Sequence, residues 1–263
     1  MCLILFAWQV HREYPLIVAA NRDEFFARPT QAAHFWPDAP QLLAGRDLNA
    51  GGTWMGVTRQ GRFAAITNYR DMRREHASTH SRGQRVADFL RSTESPKEWL
   101  RQDADVGARY NGYNLLLGDS RELWWSSNID TTPRQLTPGV YGLSNHLLDS
   151  PWPKVGAGKT AMARALERLP EIQPLFDPLF DLLHDTQTYP DASLPDTGIG
   201  LEWERLLSSA FIATPIYGTR SSTVLLMQRD LGLLFDEQIW LPAAQRGDQR
   251  GLRTRFCCKT LHP

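Results

Sequence analysis

The sequence predicts an α+β fold, with antiparallel sheets layered against helices. Three observations predict it. Short apolar runs occur in neighbouring pairs joined by brief polar turns, the signature of antiparallel hairpins. The pairs are grouped between helical blocks, in the order strands, helices, strands, helices, strands, which argues against a doubly wound parallel sheet. The 263 residues carry no internal repeat, low-complexity linker or sharp change of composition, so one domain spanning 1–263 is expected.

The first apolar run, "CLILFAWQV", reads as a buried strand, because it is too short for a membrane helix. "HREYP" is a turn and "PLIVAA" a second strand, antiparallel to the first. "NRDE" follows directly at 21–24, at the strand end, and Pro29 stops any helical tendency beyond it. Residues 30–52, rich in Pro, Ala and Gly, read as a wandering surface segment. "GGTWMGVT" and "RFAAITNY" form the next strand pair around the turn "RQG". Helices are expected at 83–91 and 96–105, the second capped by Ser95 with Pro96 in its first position. "NGYNLLLGD" and "ELWWSSN" are strands around a "GDSR" turn, and "GVYGLSNH" is a further short strand. Helical stretches follow over 153–169, 174–185 and 200–208. "RSSTVLLMQ" and "LGLLFDEQIW" make a hairpin around "RDLG", and the tail with "CCKT" is an edge strand.

Composition removes several function classes. Lys+Arg and Asp+Glu each number 29, so bulk charge predicts neither nucleic-acid nor anionic-membrane binding. No run reaches transmembrane length, and the first lacks the basic flank and cleavage site of a signal peptide. The cysteines are Cys2, Cys257 and Cys258, an odd set with two adjacent members, which points to a reducing, cytoplasmic setting. No Cys/His cluster has zinc spacing; His76 and His80 lack a nearby acidic ligand and read as a solvated loop, so no metal site is expected. The nine tryptophans suit cores, pocket walls and interfaces alike.

Cys2 is the first candidate for chemistry. Removal of Met1 would leave it with both a thiol and an α-amine, and an amine of pKa roughly 8 can serve as base for its own thiol. An inert Cys2 would simply pack as a small apolar group. The two readings differ in sign: a catalytic thiol beside Arg22 should have its pKa lowered from roughly 8.5, and an inert buried one raised. In a hairpin, the end of the second strand lies beside the start of the first, so Asn21, Arg22, Asp23 and Glu24 should adjoin Cys2. Asn68 and Asn145 end apolar runs and could donate to an oxyanion without adding charge. Arg220 opens a strongly apolar strand and could anchor a carboxylate or phosphate. Gly51-Gly52 permits a special turn or a close backbone approach, and Trp54 could line a pocket.

"MC" at the start, "NRDE" at 21–24, "GGTWMG" at 51–56, "TNYR" at 67–70, "NGYNLL" at 111–116 and "GLSNHLLDSPWPKV" at 142–155 together resemble the NRDE family, that of transport and Golgi organisation protein 2. The resemblance covers most of the chain in the same order. It implies an N-terminal nucleophile hydrolase fold, the four-layer αββα sandwich, whose nearest enzymatic relatives cleave C–N amide bonds. It implies Cys2 as nucleophile, Arg22 and Asp23 as the residues that tune it, Asn68 and Asn145 at the amide-binding and oxyanion positions, and Arg220 as a distal active-site arginine. In those hydrolases the counterparts of Arg22 and Asp23 are separated; here they are adjacent.

Two functions follow from the resemblance. One is an amidohydrolase acting on a small-molecule substrate through Cys2, with no cofactor needed for hydrolysis. The other is a non-catalytic carrier of haem or acyl-CoA, in which Asn21, Glu24, Trp54 and His146 line the site. On either, the six residues Cys2, Arg22, Asp23, Asn68, Asn145 and Arg220 should converge on one concavity.

Overall fold

The computed structural model describes residues 2–76, 80–103, 106–167, 173–229, 232–242 and 251–258. The chain begins with strands β1 (Cys2–Trp8), β2 (Leu16–Phe25), β3 (Thr30–Trp36), β4 (Ala39–Asp47), β5 (Met55–Thr58) and β6 (Phe63–Asn68). Helices α1 (Arg82–Arg91) and α2 (Pro96–Asp103) follow, then β7 (Tyr113–Gly118), β8 (Leu123–Ser127), β9 (Arg134–Gln135) and β10 (Gly139–Leu143). A second helical block, α3 (Pro153–Glu167), α4 (Gln173–Leu183) and α5 (Leu201–Leu206), precedes β11 (Tyr217–Met227), β12 (Leu233–Ile239) and β13 (Arg253–Cys258).

Two antiparallel sheets result. One has the order β10-β1-β2-β11-β12-β13, the other β3-β4-β5-β6-β7-β8-β9. The period-2 alternation of side chains sorts each strand between two cores. Ile4, Phe6, Val18, Leu225 and Phe235 of the first sheet meet Leu43, Val57, Phe63, Leu116 and Trp125 of the second. The opposite face of the first sheet, with Leu3, Leu5, Ile17, Ala19 and Leu226, packs on Val155 and Met162 of α3 and Phe176 and Leu179 of α4. The outer face of the second sheet, with Leu42, Ala64 and Leu115, packs on Val86 and Phe89 of α1 and Leu100 of α2. The layers therefore run helix, sheet, sheet, helix. Each fully buried aliphatic or aromatic side chain stabilises this stack by about 1.5–3 kcal/mol.

The strand reading of 2–10 and 15–20, the hairpin between them and the later strand pairs agree with the structure. The cap on α2 is a reciprocal capping box: Ser95 Oγ accepts from Glu98 N at 3.3 Å, and Glu98 Oε2 accepts from Ser95 N at 3.3 Å. Two expectations fail. Residues 30–52 are not a wandering surface segment but contain β3 and β4, an antiparallel pair with two register shifts. "TQAAHFW" is poor in β-branched residues, and Pro37 and Pro40 punctuate it, so local preference hides strands that pairing with β5 creates. "NRDE" also lies inside β2 and not beyond its end. The expected helix ends at 104–105 and 168–169, the hairpin turn at 230–231 and the tail at 259–260 lie outside the described residues.

Candidate active site

In the β1–β2 ladder Cys2 is the cross-strand partner of Arg22. Through this register the head of the chain and the middle of "NRDE" become neighbours. Alternation then divides the motif. Asn21 and Asp23 face the α3–α4 layer; Arg22 faces the space between the sheets, with its guanidinium carbon 4.3 Å from the centre of the Trp54 ring. A cavity of about 360 Å³ opens beside Cys2. Arg22, Asp23, Glu24, Trp54 and Asn68 line it, together with Arg28, Asp47, His80, Ser81 and Arg82.

Gly51 and Gly52 shape this cavity. Gly51 sits at φ +74°, which favours glycine. A Cβ on Gly52 would lie 2.5 Å from the Gly83 carbonyl carbon. The missing side chain lets the first turn of α1, and with it Ser81 and Arg82, reach the cavity wall. Both properties expected of this glycine pair are present.

Four expected site residues lie outside the cavity lining. Asn145 is fully buried; its Nδ2 donates to the Asn68 carbonyl at 3.0 Å, and its own carbonyl accepts from Arg70 N at 2.7 Å. It holds the backbone of Asn68, a residue of the cavity wall. Arg220 occupies the bulge between Thr219 and Ser221, and its Nη1 donates to the carbonyls of Phe25 (2.8 Å) and Arg28 (3.0 Å). It fixes the turn that carries Arg28 to the cavity. Asn21 is buried, and its amide is fully employed: Nδ2 donates to the carbonyls of Leu183 and Ala210, and Oδ1 accepts from Ser222 Oγ. His146 packs against Tyr69 and Trp152, its Nε2 meeting the Tyr69 hydroxyl at 3.0 Å and its Nδ1 the Ser150 hydroxyl at 2.7 Å. Of the six residues expected to converge on one concavity, Cys2, Arg22, Asp23 and Asn68 line the cavity, whereas Asn145 and Arg220 do not and bond to backbone behind it.

The electrostatics correct one expectation. Burial pushes the Cys2 thiol up, and the chain's terminal ammonium and Arg22 offset this only in part, while Asp23 adds to it. Burial outweighs the arginine even though Cys2, at the sheet edge of the cavity, is only half-buried. Burial likewise pushes the Asp23 carboxyl up, against Lys154, the terminal ammonium and a 2.8 Å hydrogen bond from Thr219 Oγ1.

Two buried charges stand outside the set of expected site residues. Lys154, in the first turn of α3, is lowered to about 8 by burial, with Asp23 opposing the shift; its Nζ donates to the Leu207 carbonyl at 2.7 Å. Glu237, on the inter-sheet face of β12, is raised to about 7 by burial, against a 2.7 Å bond from Ala33 N and the charge of Arg22. Both signals were available: a lysine inside the apolar "WPKVGA", and a glutamate in phase with the inward Leu233 and Phe235. His80, read as part of a solvated loop, is exposed yet lines the cavity.

The sequence profile of the family described as Transport and Golgi organisation 2 matches residues 1–242. This chain belongs to that family. The bovine "Transport and Golgi organization protein 2 homolog" is 38% identical over 261 residues, covering 92% of this chain and 94% of the bovine one. The human homologue is 34% identical over 258 residues, covering 90% and 92%. Among solved structures, the C2A mutant of conjugated bile acid hydrolase from Clostridium perfringens superposes with a TM-score of 0.52 at 7% identity, covering 97% of this chain and 96% of that one. At that identity the likeness shows the fold alone, and the fold is that of the N-terminal nucleophile hydrolases. For this family member, no helix among the described residues is long and apolar enough to cross a membrane.

Proposed function

We propose that this Transport and Golgi organisation 2 family member is an amidohydrolase that cleaves a C–N amide bond of a small molecule through Cys2. One observation carries the reading: Cys2, its cross-strand partner Arg22 and Asn68 line a single polar cavity. The cavity wall balances Arg22, Arg28 and Arg82 against Asp23, Glu24 and Asp47. A balanced wall suits a dipolar amide better than an ion of either sign.

The chemistry begins with removal of Met1, which places the α-amine on Cys2 itself. The amine takes the thiol proton, and the thiolate attacks the amide carbon. The carbonyl electron pair moves onto oxygen, where Asn68 Nδ2 donates to it. Collapse expels the amine, which takes the proton from the α-ammonium. Water then adds to the thioester, gives its proton back through the α-amine, and releases the acid with the thiol restored. In the Met1-bearing chain the thiol is held protonated by burial, so processing acts as the activating step. No cofactor enters this route.

A second reading, carriage of haem or acyl-CoA in the same cavity, is supported by that raised thiol, which suits an unreactive wall. One experiment separates the two. Release of primary amine from a panel of N-acyl amides is measured for the processed protein and for Cys2→Ala and Cys2→Ser. Hydrolysis lost in both variants supports the amidohydrolase. Equal amine release in all three, or none in any, with cargo binding kept, supports the carrier.

A further inference from the structure

The face of the first sheet that meets the second is apolar along most of its length and polar at one end. There the cross-strand rows place Cys2 beside Arg22, Arg22 beside Ser221, and Thr223 between Ala20 and Glu237. Glu237 is 1% exposed. Its carboxylate crosses the gap between the sheets, where Oε2 accepts from Ala33 N of β3 at 2.7 Å. Arg22 reaches across the same gap to Trp54, and its Nη1 is buried without a hydrogen-bond partner among the described residues. A guanidinium does not lose its proton in a protein, so this charge must be balanced through space. Besides the Glu24 and Asp47 carboxylates of the cavity wall, two groups bear on it from the inter-sheet side: the Glu237 carboxylate and the Cys2 sulfur once it ionises.

We propose that Glu237 is a positioning residue for the Cys2 site: its carboxylate shares Arg22 with the sulfur, and its protonation sets how much of the arginine's field the thiol feels. A protonated Glu237 leaves Arg22 to the thiolate. An ionised Glu237 takes part of that field and holds the thiol in its neutral form. The groups facing Glu237 are Arg22 from β2, Ser221 and Thr223 from β11, Thr254 from β13 and the Ala33 N–H from β3. Those acting on Cys2 are Arg22, Asp23, Lys154, Arg82, Tyr217 and the terminal ammonium. Arg22 is the charged group common to both sets. The consequence for catalysis rests on the reading of Cys2 as a nucleophile; the coupling itself does not.

The test is the rate of iodoacetamide labelling of Cys2 from pH 5 to 10, read by peptide mass, with the exposed Cys257 as internal comparison. In the unsubstituted chain the Cys2 profile should show a lower inflection near 7 in addition to that of the thiol itself. In Glu237→Gln, which keeps an acceptor for Ala33 N, the lower inflection should vanish. The thiol inflection should move down by about half a pH unit or more. In an Arg22→Gln background, adding E237Q should leave the profile unchanged. Superimposable profiles for the unsubstituted chain and E237Q, an upward shift, or an effect that survives in R22Q overturns the proposal. If E237Q does not fold, R22Q alone decides: the lower inflection should vanish, and one that persists overturns the coupling. Labelling needs no turnover, so a chain that cleaves no amide still answers this question. A chain that cleaves amides with an unmoved profile in E237Q sinks only the role of Glu237.

Discussion

Asn145 Nδ2 donates to the Asn68 carbonyl oxygen at 3.0 Å, across 77 residues of chain. Two asparagines that look equivalent in sequence thus divide the work: one lines the cavity, and the other holds that residue's backbone. Asn68→Ala should lower kcat by about 10²–10³ with little loss of stability, as for removal of one oxyanion donor. Asn145→Ala should instead destabilise the fold by about 1–3 kcal/mol, because it leaves a part-buried carbonyl without its donor and empties a fully buried site. Kinetics and urea unfolding on the two variants check this division.

Gly52→Ala should disturb the site without touching a charged group. Its Cβ would lie 2.5 Å from Gly83 and push the first turn of α1 away from the cavity. Overpacking of this kind costs about 1–3 kcal/mol. The midpoint of thermal unfolding should fall. Gly51→Ala, strained by its φ of +74° but open in space, should keep α1 in place.

Lys154 makes stability rise with pH. Its folded pKa of about 8 lies below the ordinary 10.5. Below about 8 both the folded and unfolded chains carry the proton, and the cost of burying the charge is felt in full. Between about 8 and 10.5 the unfolded chain binds more protons than the folded one, so unfolding free energy increases with pH. The difference between the unsubstituted chain and Lys154→Met should therefore grow across that window, by on the order of 3 kcal/mol in total. Urea unfolding at pH 7.5, 9 and 10 measures it, and a constant difference would contradict the assignment.

Arg70 and Glu204 form a 2.6 Å ion pair in which both side chains are almost fully buried. Glu204 Oε1 also accepts from Thr197 N and Oγ1, which ties the 196–204 segment to Arg70. Glu204→Gln should cost about 3–5 kcal/mol by leaving a buried cation without its counter-charge. Paired replacement by Arg70→Met and Glu204→Leu should recover most of that loss in a double-mutant cycle.

The layers were legible because the inter-sheet and helix-facing cores follow strict period-2 patterning in runs such as "CLILFAW" and "STVLLM". That the "NRDE" segment adjoins Cys2 was legible from the hairpin, but the register that pairs Cys2 with Arg22 was not, since a connection over 9–15 allows more than one. β3 and β4 were not, because "TQAAHFW" becomes strand through its partners and not through its own residues. Among the site residues, sequence marked the neighbourhood but not the depth. Asn21, Asn145 and Arg220 stand in the right segments, yet whether such a side chain meets the cavity or a backbone carbonyl depends on which way each strand faces across the sheet. Lys154 and Glu237 escaped because a charge inside an apolar run was not followed onto the face it occupies.

The most direct test of Cys2 as nucleophile is an acid-quenched single turnover of the Met1-processed protein with an activated N-acyl amide, followed by mass analysis of the N-terminal peptide. The peptide should carry the acyl group as a thioester on Cys2, appearing before the free acid and absent from Cys2→Ala. A peptide that stays unmodified while amide is consumed, or a chain that binds the amide and returns it intact, would contradict the role assigned to Cys2.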